Sequence, residues 1–328
     1  MKQEEKTPLV FVLCMVYNHG PFLRQCLDGF VMQQTSFPFE VIVHDDASTD
    51  GSADIIREYA DKYPDIIKPV YETENQYSKG ADSAAGKKLE AAISHGVKYR
   101  AVCEGDDYWV DPLKLQKQFD FLEAHPDFVM CCSNHLCYQQ DSGKMEPIPV
   151  YDWVFEGNDK PYFEITLDNF FKHWWIRTLT VMQRIYPNYA EMRKKGYRNY
   201  WDDSYYYTVL THGKGALLRD VTGVYRRHSG GIWAGNDVID NYRKAIDHAF
   251  EIYHIEGDKR AFIKIRDFTI RILKELNSRG DRKHVLNELK SYYNKVPRGE
   301  FAHLIKDYAW GGIRKKLSAL YHHLLVLA

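Results

Sequence analysis

What most limits the fold of this chain is an alternation in its first 140 residues: short apolar runs separated by stretches with helical spacing. Residues 9–17 are apolar throughout, as a strand buried on both faces must be. Residues 21–34 then carry helical periodicity, with Pro21 in the first turn where its missing N–H costs nothing. Further strands are expected at 39–44, 66–71, 99–103 and 128–138. Helices are expected after the second strand through residue 63, at 83–95 and at 113–125, the last with Asp111 as N-cap and Pro112 at its first position. Repeated strand–helix units require crossovers, and the result is an α/β fold with a mostly parallel central sheet and helices on both faces.

The pattern loosens between residues 142 and 200, where a turn-rich stretch at 157–159 and the aromatics Phe170, Phe171, Trp174 and Trp175 suit a wall over a site better than another strand–helix unit. A strand is expected at 178–183, helices at 189–195 and 203–212, and a closing strand pair at 216–225 that ends in a glycine-bearing loop through residue 231. From residue 237 the composition turns helical and charged, with breakers at Gly257, Gly280 and Pro297 to Gly299. Ile265, Phe268, Ile272 and Leu276 form one apolar stripe there, and Leu286, Leu289 and Tyr293 another. The expected division is a sheet domain at 1–236 and a helical extension at 237–328.

Composition excludes several classes. With 44 basic against 45 acidic residues and no basic block, nothing suggests a nucleic-acid surface. The six cysteines, at 14, 26, 103, 131, 132 and 137, have no Cys-x-x-Cys pair and lie mostly in apolar runs, as buried reduced thiols do. The charged start, residues 1–7, leads straight into a strand without signal-peptide character, and no run approaches the roughly 20 apolar residues of a membrane span. A cytoplasmic protein is expected.

The chemistry gathers around acidic pairs. Asp106 and Asp107 follow the strand at 99–103, at the sheet edge where open α/β folds bind ligands. Adjacent carboxylates repel unless a cation, donor or proton intervenes. Mg²⁺ or Mn²⁺ uses one or two protein carboxylates and completes its shell with phosphate oxygens and water. Asp45 and Asp46 end the second strand, where a carboxylate can accept from a base N–H or ribose hydroxyls; an Asx turn or helix cap is the other reading, although Ser48, Thr49 and Asp50 can already cap. Taken alone, Trp201, Asp202 and Asp203 read first as a helix N-terminus and second as a catalytic group, and His228 first as a loop histidine and second as a ligand.

In this order and spacing, residues 11–18, Asp45 to Asp50, Glu104 to Trp109, Trp201 to Asp203 and Tyr225 to His228 resemble the family 2 glycosyltransferases with the GT-A fold. The resemblance covers about residues 8–235 and leaves the helical tail outside. It implies an inverting, metal-dependent transferase using a nucleotide sugar, foremost a UDP-sugar. By the same resemblance, Tyr17 and Asn18 lie near the base and Asp46 contacts it. Asp106 is directed toward the ribose or the waters of the metal, Asp107 binds Mn²⁺ or Mg²⁺ with His228 beside the metal and diphosphate, and Asp203 is the catalytic base. Trp109 either packs on a sugar face or is a core aromatic. The acceptor would be a saccharide or a lipid-linked saccharide in cell-surface polysaccharide or glycolipid assembly. Two departures stand out: Ala47 occupies a position where the family commonly has Gly, and the usual Ala-Arg-Asn is not recognisable around residues 83–87.

A nicotinamide dehydrogenase would need a Gly-x-Gly-x-x-Gly turn where this chain has Tyr17, Asn18, His19, Gly20 and Pro21, and a sugar-nucleotide pyrophosphorylase a glycine-rich basic loop. The remaining rival is a GT-A-like module that binds a sugar nucleotide or a partner without turnover. Trp310, Ile313, Leu317, Leu320 and Leu324, with Arg314, Lys315 and Lys316, outline a basic amphipathic last helix. Such a helix suits either docking on the catalytic domain or a second subunit, or peripheral contact with the inner face of the cell membrane.

Overall fold

The computed structural model describes residues 7–76, 96–147, 154–156, 159–172, 176–186, 188–198, 202–231 and 236–310. The helix expected at 83–95, the region 83–87, Trp174, Trp175, Trp201 and the stripe beyond Trp310 lie outside the described residues.

In chain order the elements are β1 (Val10–Val16), α1 (Gly20–Val31), β2 (Phe39–Asp45), α2 (Ser52–Lys62), β3 (Ile67–Tyr71), β4 (Tyr99–Val102), β5 (Tyr108–Trp109), α3 (Lys114–Ala124), β6 (Phe128–Gln139), β7 (Lys144–Pro147), β8 (Tyr162–Ile165), α4 (Leu167–Phe170), β9 (Met182–Arg184), α5 (Asn188–Lys195), α6 (Asp202–Leu210), β10 (Lys214–Arg227), α7 (Val238–Glu256), α8 (Ala261–Ser278), α9 (Arg282–Lys295) and α10 (Arg298–Trp310). The chain divides into two compact units, one of residues 1–188 and 207–231, the other of residues 189–206 and 232–328. Residues 189–206, which the sequence reading assigns to the sheet domain, therefore group with the helices. Their ties are local: Lys195 Nζ pairs with Glu256 at 3.0 Å, Tyr197 donates to the same carboxylate at 3.1 Å, and the Arg198 amide donates to Glu251 at 2.7 Å.

The first unit is built on a ten-stranded sheet of order β3-β2-β1-β4-β9-β6-β10-β5, with β7 on β6 and β8 on β10. Its three longest ladders, β10 with β6, β1 with β2 and β2 with β3, are parallel, as is β1 with β4. The shorter pairs around β5, β7, β8 and β9 are antiparallel. Val10, Val12, Cys14 and Val16 of β1 bury one face against Leu23, Leu27 and Phe30 of α1, Ile56 of α2 and Leu115 and Leu122 of α3, while Phe11 and Ile42 fill the opposite face with Val70 and Val97. The period-two alternation explains why β1 had to be apolar throughout.

Two expected strands differ. Residues 178–183 split into a 3₁₀ turn, Thr178–Thr180, and the short β9, because Leu179 turns its carbonyl to the Trp109 indole N–H at 2.8 Å. The strand pair expected at 216–225 is one continuous strand, β10, whose register slips at Leu218/Val221 and Val221/Gly223 absorb the turn-like residues as bulges.

The second unit packs Ile272 and Leu276 of α8 on Ile239 of α7, with Tyr242 and Val285 against them. Gly257 and Gly280 have positive φ, 68° and 74°, as helix stops do. The stripe expected on α9 is shifted: Leu289 and Tyr292 are buried and Leu286 is exposed. Among the described residues no helix is long and apolar enough to cross a membrane.

Candidate functional site

The carboxyl ends of β2, β1 and β4 adjoin. The chain leaving β4 keeps running beside β1, with the Cys103 amide donating to Leu13 O at 3.1 Å and the Gly105 amide to Met15 O at 2.9 Å. On the other side of β1 the Asp46 amide donates to Val16 O at 2.9 Å. The acids after β4 and those after β2 thus flank the end of one strand. Gly105 is required there: a Cβ would come within 2.9 Å of both His19 Nδ1 and Val16 Cγ2.

The loop closes on itself through the Asp107 amide, which donates to Glu104 O at 3.1 Å. One carboxylate oxygen from each of Glu104, Asp106 and Asp107 lies within 4.8 Å of the others. His228 Nε2 is 3.1 Å from Asp106 Oδ2, its ring against Phe22 at 4.6 Å, and His19 Nε2 is 4.0 Å from the same oxygen. Arg226, next to β5 through the β10 pairing, donates its amide to Asp107 Oδ1 and its Nε to the Asp106 carbonyl, both at 2.8 Å.

Charge in this cluster is unbalanced. Burial, then the charge of Asp106, push the Asp107 carboxyl well above the usual carboxylate range, and the Arg226 amide only partly opposes them. Burial lowers the His19 pKa. Asp106 Oδ1 is buried without a hydrogen-bond partner among the described residues. Three hard oxygen donors at mutual reach, one with an unfilled lone pair and one destabilised as an anion, fit a divalent cation of the Mg²⁺ or Mn²⁺ kind.

Asp106, Asp107 and His228, all singled out in the sequence, therefore lie in one cluster, with His228 on Asp106. Tyr17 and Asn18 follow β1, whose last residue, Val16, accepts from the Asp46 amide. Tyr17 is half exposed, while Asn18 ties the loop after β1 to the loop after β2, its amide donating to Ser48 Oγ at 2.9 Å and its Oδ1 accepting from the Thr49 amide at 2.8 Å. Asp46 is buried, and its Oδ1 accepts from the Gln76 amide at 2.7 Å. Ala47 has φ 61°, the left-handed region where glycine is free of strain, which accounts for the family's usual residue at that position.

Trp109 does not face a ligand. It is 2% exposed, its N–H is spent on Leu179, Phe30 meets it edge-on at 4.8 Å and Lys114 Nζ lies 4.2 Å from the ring centroid. No open face remains for a sugar, so the sugar-stacking expectation is corrected to a core role. Burial lowers the Lys114 pKa to about 8, as expected for an ammonium in that core. Trp109→Ala is expected to cost about 3–5 kcal/mol, read as a fall in the denaturant midpoint; an unchanged midpoint would contradict the core assignment.

Asp203 lies in the second unit, in the first turn of α6, and is 5% exposed. Lys264 Nζ of α8 is 2.6 Å from its Oδ1, and His248 Nδ1 of α7 is 3.6 Å from its Oδ2. Burial alone would raise its pKa, but Lys264 and His248 outweigh it and hold Asp203 below the usual carboxylate value.

Glu104, His19 and Arg226 were not singled out from the sequence. Glu104 and Arg226 sit inside the motif runs, and His19 in the first turn; what marks them is proximity across β1 and β10, which spacing along the chain does not carry.

An uncharacterised protein of Mycobacterium bovis is 35% identical over 225 residues, 68% of this chain and 60% of its own length, so the chain matches less than two thirds of that relative. A UDP-Glc:α-D-GlcNAc-diphosphoundecaprenol β-1,3-glucosyltransferase of Escherichia coli is 32% identical over 37% of this chain and 43% of its own. In fold, the chain is similar to Staphylococcus aureus TarS 1–349 in complex with UDP-GlcNAc, with TM-score 0.59 and 17% identity over 89% of this chain and 82% of that one. It is similar also to a Pyrobaculum calidifontis mannosyltransferase in complex with GDP-Man and Mn²⁺, with TM-score 0.53 and 18% identity over 92% and 80%. The model of the family described as "Glycosyl transferase family 2" matches residues 11–181, just over half of the 328, and with the acid cluster at the carboxyl edge of a GT-A sheet this establishes that the chain belongs to glycosyl transferase family 2.

Proposed function

We propose that this chain is a metal-dependent inverting glycosyltransferase that moves a sugar from a nucleotide sugar, foremost a UDP-sugar, to a hydroxyl of a saccharide or lipid-linked saccharide during cell-surface polysaccharide or glycolipid assembly. The observation that carries this reading is the convergence of Glu104, Asp106 and Asp107 within 4.8 Å at the carboxyl edge of the parallel strands. The E. coli relative's UDP-glucose donor and the UDP-GlcNAc bound to the TarS neighbour support a UDP-sugar.

In this reading Asp107 and Asp106 hold Mn²⁺ or Mg²⁺ with Glu104, and His228 orients Asp106 through its 3.1 Å contact. When bound, the cation supplies Lewis-acid stabilisation of the charge gathering on the departing diphosphate. Tyr17, Asn18 and Asp46 receive the nucleoside beyond β1. Asp203 takes the proton of the acceptor hydroxyl as it attacks the anomeric carbon, and a single displacement inverts the configuration. A second reading, a sugar-nucleotide-binding module without turnover, draws on the commitment of Asp203 to Lys264 and His248.

The test is incubation of the full chain with Mn²⁺, a panel of UDP-sugars and saccharide or lipid-linked acceptors, with product configuration read by NMR. Release of UDP with an inverted glycoside is the expected result. Donor binding without transfer across the panel would favour the module, and absence of nucleotide-sugar binding would remove both readings.

A further inference from the structure

Arg226 is a heavily committed side chain of the first unit that the proposed reaction leaves without a task. It is 6% exposed, at the end of β10, and its nitrogens are divided among neutral acceptors: Nε to the Asp106 carbonyl at 2.8 Å, and the two terminal nitrogens to Gln140 Oε1 and Gln25 Oε1 at 2.5 Å each. Phe22, Tyr108 and Tyr138 enclose it, with ring centroids 4.9, 5.2 and 5.3 Å from its guanidinium carbon. Among the described residues no carboxylate forms an ion pair with it. A buried guanidinium is expensive to keep without a carboxylate, and a structural ion pair is not its reason for being there.

What the residue does reach is the acid cluster, at two points. Its main-chain amide donates to Asp107 Oδ1, and its side-chain Nε donates to the carbonyl of Asp106, so the guanidinium itself holds the peptide that joins the two acids. His228, the residue after β10, meets the carboxylate of the first acid at 3.1 Å. Gln25 and Gln140 come from α1 and from the residue after β6, so the guanidinium also bolts the acid loop to two separate elements.

We infer that Arg226 is a positioning residue that pre-sets the Asp106 and Asp107 carboxylates for a divalent cation, an inference resting on the metal reading above. Its rigid fork is the essential property. Lysine keeps the charge but has no planar set of donors to serve Asp106, Gln25 and Gln140 together.

The experiment is direct Mn²⁺ binding, without nucleotide, to the full chain by calorimetry, comparing the parent with Arg226→Lys and with the double variant Gln25→Leu, Gln140→Leu, whose side chains do not touch the acids. Loss of an outer-shell partner is expected to weaken Mn²⁺ binding about 10–100-fold in Arg226→Lys, and the glutamine variant shifts in the same direction. Excess Mn²⁺ then restores transfer by Arg226→Lys, which it would not do for a mere folding defect. A folded Arg226→Lys chain that binds Mn²⁺ within about twofold of the parent would overturn the inference. If that variant does not fold, unchanged affinity in the glutamine variant overturns it instead. A parent that binds no Mn²⁺ refutes the metal reading itself and so is distinguishable from either result.

Discussion

Asp107→Asn is expected to give a folded protein that melts at a higher temperature than its parent in metal-free buffer at pH 7 and has lost nearly all sugar transfer. Burial and the neighbouring Asp106 raise the Asp107 pKa, so between the ordinary carboxylate value near 3.9 and that raised value the folded chain holds a proton the unfolded chain has released. Stability of the parent therefore falls as pH rises through this window, and the asparagine, which keeps an oxygen for the Arg226 amide, does not share the fall. The difference in melting temperature should vanish near pH 4 and grow toward neutrality, by about 2 °C for each kcal/mol relieved in a chain of this size. Transfer should drop about 10³-fold or more, since a Lewis acid contributes several kcal/mol to departure of a diphosphate. Scanning calorimetry from pH 4 to 8 beside a UDP-release assay checks both halves. A variant that is less stable at pH 7, or still active with Mn²⁺, would contradict the assignment.

Asp203→Asn is the second large effect, and it must be read through two assays. Breaking a buried ion pair costs about 3–5 kcal/mol, and Asp203 is bound to Lys264 at 2.6 Å. Its folded pKa is lowered, so this contribution is present above the unfolded carboxylate value and is lost as pH falls through the lower one; the penalty of the variant should shrink in acid. A positioned general base contributes about 10²–10⁴-fold to rate. Combining Asp203→Leu with Lys264→Met separates the two roles, because an apolar pair of similar volume restores most of the stability. If Asp203 is the base, transfer stays lost while the midpoint recovers; recovery of both would make Asp203 a structural partner of Lys264 and His248 alone.

The sheet was legible because burial on two faces leaves an unmistakable apolar run, and β1, β2, β4 and β6 begin and end within two residues of where sequence puts them. The acid pair was legible because two adjacent carboxylates at a strand end need a reason. Less was readable where tertiary contacts choose among local options. Leu179 bends away from a strand to serve the Trp109 indole, and the residues around Asp220 look like a turn but are taken up as bulges in β10. On α9, Leu286 and Tyr293 fit the apolar spacing as well as Leu289 does, but it is Tyr292 that the neighbouring helices bury. Trp109 resembles a sugar platform by residue type and by its distance from Asp107, and only its surroundings reveal a core side chain. Glu104, His19 and Arg226 carry no distinguishing local signal: each becomes notable through a partner brought near by the sheet.

The most direct test of the central claim, that Glu104, Asp106 and Asp107 hold a divalent cation together with a nucleoside diphosphate, is calorimetric titration of UDP into the full chain with and without Mn²⁺. The expected result is at least about tenfold tighter binding with the metal in the parent, and no such gain in Asp107→Asn. UDP affinity that is the same with and without Mn²⁺, or a metal gain that survives Asp107→Asn, would contradict it.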